Sequence, residues 1–456
     1  MKKSPYIIML WMLLCLIAVF EFAPLLGLIN LPCLHKNLIR TIFNSYLGPT
    51  SCLGGVLAYL LILPIKKREL IGTAIFGIFF ELILRHYRPT IVASIVHYKP
   101  DIALFNQFLF LGPGLLTACL LAILWRTWQA YRLDNSDELN CCLETLFLSI
   151  VMPSLLCLSI PTTPQYYTYD PHLYALDSLW GVQASFIIAK FLRSETIYSK
   201  FMMLVYDYLP IWMMLAQILV YRWNIQQKKS HIPSFIPAIF FALIAVCGEL
   251  SYSFLPAVGV ELYCGTNSFP NGPWPAANMN PVPIEAPYYL LRNCMPSLHF
   301  SWILAVYYSL YRSKPIYRQV ALLLVFLTVL STFSVGCHYL IDLIMAVPFT
   351  MALLAITMPE AKKKTRLIGA IFGLASFSGW LCLFKYSITT ALQHPTLTLT
   401  LLIATDLISF YLAHLMCQQA KKTDLPELPQ QQSDIGQDSR QETPEKAEIE
   451  GQLTAQ

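Results

Sequence analysis

Apolar stretches of about 20 residues, repeated along the chain and separated by short basic clusters, leave this sequence one solvent. Crossing a hydrocarbon core of roughly 30 Å takes about 20 apolar residues in a helix. Such stretches fall near 6–29, 48–65, 70–92, 103–125, 143–160, 201–221, 232–256, 297–311, 317–336, 338–357, 367–386 and 395–416. Hydrophobic residues make up 56% of the chain and charged residues 12%, whereas a soluble domain carries about 25% charged residues. A chain this apolar cannot clothe a water-facing surface. The pattern predicts an all-α, polytopic membrane protein of about twelve spans.

The basic clusters also set the orientation, because Lys and Arg accumulate on the cytoplasmic side. Lys2-Lys3, Lys66-Lys67-Arg68, Arg126 to Arg132, Arg222 to Lys229, Arg312 to Arg318, Lys362 to Arg366 and Lys421-Lys422 all fall on one face if every stretch spans. Both termini are then cytoplasmic. A net charge of +5, dispersed in these clusters, gives no basic face for nucleic acid. The 13 Cys form no CxxC pair, and most read as small buried hydrophobes.

The opposite face carries two long polar connections. One, at 161–200, is rich in Tyr and Pro and contains an interfacial helix near 175–193. The other, at 257–295, is dense in Pro and reads as a folded cap. From about 423 the chain turns to Gln, Glu, Ser and Pro, and cannot bury enough apolar surface to order itself. The organisation expected is an N-terminal region of four spans (1–139), a six-span core (140–357), two further spans (358–418) and a tail (419–456). The sequence contains no internal repeat.

Ionisable groups inside spans are costly and point to function. Two clusters stand out, Arg292-Asn-Cys-Met-Pro-Ser297-Leu-His299 and Ser331-Thr-Phe-Ser-Val-Gly-Cys-His338-Tyr-Leu-Ile-Asp342. The spans between them run out to Arg312–Arg318 and back, so both histidines belong to the non-cytoplasmic face. His338 and Asp342 are four residues apart and share a helix face. A carboxylate so placed fixes one imidazole tautomer and leaves the other nitrogen as a nucleophile. His299 supplies a second imidazole, able to protonate a leaving oxygen. Arg292, Ser297 and the N–H groups opening the eighth span suit a phosphate. Two histidines and a carboxylate are also a partial metal-ligand set, though no further ligand has a matching spacing, and no cofactor is implied. Glu21 and Glu249 lie in spans and read as partners in interhelical hydrogen bonds, Glu249 near the same cavity.

The stretches Met295-Pro-Ser-Leu-His299-Phe-Ser-Trp and His338-Tyr-Leu-Ile-Asp342 resemble the type 2 phosphatidic acid phosphatase superfamily. The likeness is nearest to the branch that includes fungal inositol phosphorylceramide synthase. Leu176-Asp-Ser-Leu-Trp-Gly-Val-Gln-Ala-Ser185, Val205-Tyr-Asp-Tyr-Leu-Pro210 and Phe254-Leu-Pro-Ala-Val-Gly259 resemble that branch as well. The resemblance covers about 140–357. It implies a six-helix catalytic core, a membrane lipid substrate, His338 as nucleophile, Asp342 as its orienting partner and His299 as general acid. Three positions depart from the phosphatase pattern. Leu298 replaces a Gly, Thr332 replaces an Arg, and the Lys/Arg-Pro motif is missing from the seventh span; Arg88-Pro89 is far upstream, with Leu82 where the Lys should be. Losing these cations shifts weight toward head-group transfer.

The function expected is therefore a lipid phosphatase or phosphotransferase, with water or an alcohol as acceptor. A transporter or flippase with a structural His/Asp cluster is the alternative, and it would show paired halves with helices broken at mid-membrane.

Overall fold

The structure is a computed structural model that describes residues 48–87, most of 112–149, 167–193, 196–226, 236–265, 268–286 and 295–422. The first apolar stretch, parts of the fourth and fifth, Arg292 and the tail from 423 lie outside those residues.

The chain is mostly helical. The N-terminal region contributes α1 (Gly48–Ile62), α2 (Lys67–Tyr87) and α3 (Gly112–Arg132). Gly77 and Gly114 let α2 and α3 meet: a Cβ on Gly114 would lie 2.6 Å from the Gly77 carbonyl. Glu81, a carboxylate inside an apolar helix, accepts the Gly114 N–H at 3.1 Å.

The core begins with β1 (Tyr167–Thr168), α4 (Asp170–Ser178), α5 (Ala184–Arg193), α6 (Thr196–Asp207), α7 (Leu209–Gln226), α8 (Ile236–Phe254) and α9 (Val260–Cys264). It continues with β2 (Ile284–Glu285), α10 (Leu298–Ser309), α11 (Pro315–Val335) and α12 (Leu340–Thr357). Then come α13 (Lys363–Tyr386), α14 (Ile388–Gln393) and α15 (Pro395–Lys422).

Among the described residues, α11, α12, α13 and α15 are long and apolar enough to cross a membrane, and the pair α6–α7, bent by 51°, makes a fifth if it is one span. These four or five helices indicate a membrane protein. Other stretches expected as spans are shorter: α1 has 15 residues and α10 has 12, and in α8 the apolar helix is limited to Ile239–Phe254.

The helix α12 is central. Its apolar window is 83% buried, against 28–39% for α11, α13 and α15, whose outer faces leave Leu322, Phe326, Leu367, Ile371, Leu407 and Tyr411 exposed. In lipid such faces meet no penalty, and helices associate through close packing instead. Gly369 and Gly373 on α13 supply it: a Cβ on Gly373 would meet the Pro348 carbonyl at 2.7 Å and the Ala352 nitrogen at 3.0 Å.

The two polar connections fold together over one end of the bundle. Tyr167 pairs with Glu285 and Thr168 with Ile284 in a two-stranded antiparallel ladder. The Tyr174 hydroxyl donates to the Pro275 carbonyl at 2.8 Å, and Phe186 sets its edge against Phe269 and Trp274. The helix expected near 175–193 is two helices, α4 and α5, because Gly181 turns the chain at φ +74°, a conformation that suits glycine.

Candidate active site

The site is built where α12 begins. Gly336 ends α11 in the left-handed conformation at φ +75°, as helix ends favour, and Cys337-His338-Tyr339 follow as an extended link. Asp342 lies in the first turn of α12. Its Oδ2 accepts the Tyr339 N–H at 2.7 Å and stands 3.4 Å from His338 Nδ1. One carboxylate thus closes the helix start and faces the imidazole, but not across a shared helix face as the four-residue spacing predicts: His338 precedes the Tyr339 cap of α12, and the cap brings the link back over the first turn. Both side chains are buried.

Ser297 caps α10, its hydroxyl accepting the Phe300 N–H at 3.4 Å, and this places His299 in the first turn. The Ser297 N–H donates to the Asp342 carbonyl at 3.0 Å, which couples the two motifs through the backbone. The His299 and His338 rings lie edge to face with centroids 6.4 Å apart. His299, His338, Asp342 and Ser297 therefore converge at one end of the bundle. Among the described residues no group of three or more His, Cys, Asp and Glu is arranged to hold a metal.

Four segments buttress this cluster, and each contributes a residue that the sequence analysis did not assign to the site. From α4, Asp177 accepts the N–H groups of Leu340 at 2.7 Å and Ile341 at 2.9 Å. These are first-turn donors of α12 that the helix itself cannot satisfy. At the head of α4, Asp170 accepts from the Tyr339 hydroxyl at 2.9 Å and from the N–H groups of Val258 and Gly259, each at 3.0 Å. Ser185 donates to the His338 carbonyl at 3.0 Å. Gly259, at φ +95°, lies so close to Cys337 that a Cβ would come within 2.5 Å of its carbonyl oxygen. Tyr206 stacks on His299, with centroids 3.7 Å apart and planes 16° from parallel.

Burial pushes the Asp177 carboxyl up to about 8 despite its two N–H donors; Asp170 is raised for the same reason. Burial also takes His172, at the start of α4, down to about 4.

Arg193 is a cation close to the site that is already engaged. Its guanidinium donates to the carbonyls of Ser334 (2.6 Å) and Val335 (2.7 Å) and grips Glu261 in two bonds of 3.1 and 3.0 Å. It closes the C-terminal end of α11, where the helix dipole favours a positive charge. Leu298 is accommodated by Gly248 on α8, where a Cβ would collide with the leucine side chain.

A helical membrane protein with two imidazoles and a carboxylate at one end of its bundle is the class that fold and site define. Residues 171–357, from the first turn of α4 to the last residue of α12, match the family model of the PAP2 superfamily, which points to phosphatase or phosphotransferase chemistry. Neither the curated proteins nor the solved structures give a match. Asp177 and Ser185, Tyr206, and Gly259 all lie within the three upstream segments quoted for the resemblance. The available signal for Asp177 was a carboxylate in a segment otherwise read as interfacial.

Proposed function

We propose that this chain is an integral-membrane lipid phosphatase or phosphotransferase that moves a phosphate or phospho-head group through a phosphohistidine on His338. The observation that carries the reading is the triad geometry: Asp342 Oδ2 3.4 Å from His338 Nδ1, with the His299 ring 6.4 Å away, a gap that suits a phosphoryl group between two imidazoles.

In this reading the carboxylate of Asp342 holds the proton of His338 on Nδ1, which leaves Nε2 with its lone pair. Nε2 attacks phosphorus, the bond to the lipid oxygen breaks, and His299 gives that oxygen a proton. The now neutral His299 next takes a proton from water or an alcohol, whose oxygen attacks phosphorus and releases His338. Arg292 and the hydroxyl of Ser297, together with N–H groups at the start of α10, hold the phosphoryl oxygens. With Arg193 engaged by α11 and Glu261, Arg292 is the cation this scheme assigns to phosphate.

The branch suggested is that of inositol phosphorylceramide synthase, with a lipid head group as the transferred unit. About twelve spans, cytoplasmic termini and a periplasmic or luminal site complete the proposal. It places the catalytic core at 140–357, with spans before it and two after it. The bend between α6 and α7 is a feature a transporter would also carry. Here it presents Tyr206 to His299, which favours the enzyme.

The test is lipid profiling of membranes carrying the intact chain or His338→Ala, supplied with labelled phosphatidic acid and phosphatidylinositol. Loss of product formation in the variant is expected. Retention of turnover in a folded preparation free of other phosphatases rules the phosphohistidine out.

A further inference from the structure

The reaction scheme leaves one aromatic residue without a task. Tyr206 is 4% exposed and sits in the last turn of α6, immediately before the chain bends by 51° into α7. Its ring lies flat on His299 at 3.7 Å, and its hydroxyl is hydrogen-bonded to the thiol of Cys337, the residue before His338. One side chain therefore touches the His299 imidazole with its face and the neighbour of His338 with its tip. Stacking of this kind fixes the plane of a ring that would otherwise turn about its side-chain bonds. It also lays the negative face of the phenol against any positive charge the imidazole takes up.

We propose that Tyr206 is a positioning residue for the general acid: it sets the orientation of His299 toward His338 and supports the imidazolium form that protonates the leaving oxygen. The proposal rests on the catalytic reading above. It distinguishes two contributions. The face of the ring acts on proton transfer, whereas the hydroxyl ties α6 to the link that carries His338.

The test uses the full chain in lipid vesicles, with a lipid phosphate and an activated aryl phosphate as substrates. Tyr206→Phe retains the face and is expected to stay within about threefold of the parent on both. Tyr206→Leu loses the face. It is expected to slow the lipid phosphate by about tenfold or more, part of the 10²–10⁴ of a general acid, and to spare the aryl phosphate, whose leaving group needs no proton. The double variant Tyr206→Leu/His299→Ala is expected to be no slower than His299→Ala alone. Tyr206→Met, of similar bulk without a π face, replaces the leucine variant if that one does not accumulate. Equal slowing of both substrates, or full additivity with His299→Ala, overturns the proposal and leaves Tyr206 a packing residue. The two readings fail separately. If His338→Ala turns over normally, the phosphohistidine is wrong. If His338→Ala is dead and His299→Ala shows the leaving-group dependence but neither Tyr206→Leu nor Tyr206→Met does, only the role of Tyr206 falls.

Discussion

Asp177 and Leu340 stand 163 residues apart, and the carboxylate of the first accepts the backbone N–H of the second at 2.7 Å. The other oxygen takes the N–H of Ile341, so two first-turn donors of α12 depend on a side chain from α4. Leaving a buried donor unpaired costs about 1–3 kcal/mol. Asp177→Ala is expected to lower stability by about 3 kcal/mol. Asp177→Asn retains one acceptor and turns an NH2 group toward a donor, so it should fall between the parent and the alanine variant. Thermal unfolding in detergent measures the order; an alanine variant as stable as the parent would show that other groups cap α12.

Gly259 has no room for a side chain. At φ +95°, with a Cβ 2.5 Å from the backbone oxygen of Cys337, substitution meets both backbone strain and a collision with a main-chain atom that cannot swing away. Gly259→Ala is expected to destabilise the protein by about 1–3 kcal/mol or more and to displace the Cys337–His338 link. Expression yield and melting temperature report the first effect. Wild-type stability in this variant would contradict the close approach.

Asp342→Asn tests the tautomer. The amide oxygen can still accept from Tyr339, but its NH2 then faces His338 Nδ1 and favours the proton on the wrong nitrogen. Turnover of labelled lipid is expected to drop by about a thousandfold or more, by the precedent of other His–Asp pairs, while folding is retained. Near-normal turnover would remove Asp342 from its orienting role.

His172 gives a pH dependence with a definite sign. Burial lowers it to about 4, below the unfolded value of about 6.5. The unfolded chain therefore binds a proton that the folded one refuses. Stability from this group is complete above about pH 6.5 and is lost as pH falls from there toward 4. The loss is at most about 3 kcal/mol, from 1.36 kcal/mol per pKa unit. His172→Gln should flatten that part of the stability profile relative to the parent. An unchanged slope would assign the acid sensitivity elsewhere.

The helical class was legible because apolar length is a direct consequence of crossing a bilayer. The His338–Asp342 contact was expected from a four-residue spacing, but it forms at the cap of α12 rather than on a shared helix face, because His338 lies before the helix begins. That His299 meets His338 also followed, since spans running out and back return to one end. The buttress was not legible in this way. Asp177 reaches α12 across 163 residues, and no periodicity encodes a contact of that kind. The single interfacial helix failed for a local reason: Trp180-Gly181 reads as a tolerable interruption until Gly181 takes φ +74°. Asp170 and Asp177 lie in a polar connection, and only the fold of that connection onto the bundle buries them.

The long reach between α4 and α12 has a consequence for biosynthesis. At about 5–20 residues per second, a ribosome needs roughly 8–33 s to travel the 163 residues from Asp177 to Leu340. Through that interval Asp177 waits without its partners, and α12 does not yet exist. The cluster of His299, His338 and Asp342 therefore assembles only once α12 has emerged, so a nascent chain released before that point carries it into the membrane incomplete.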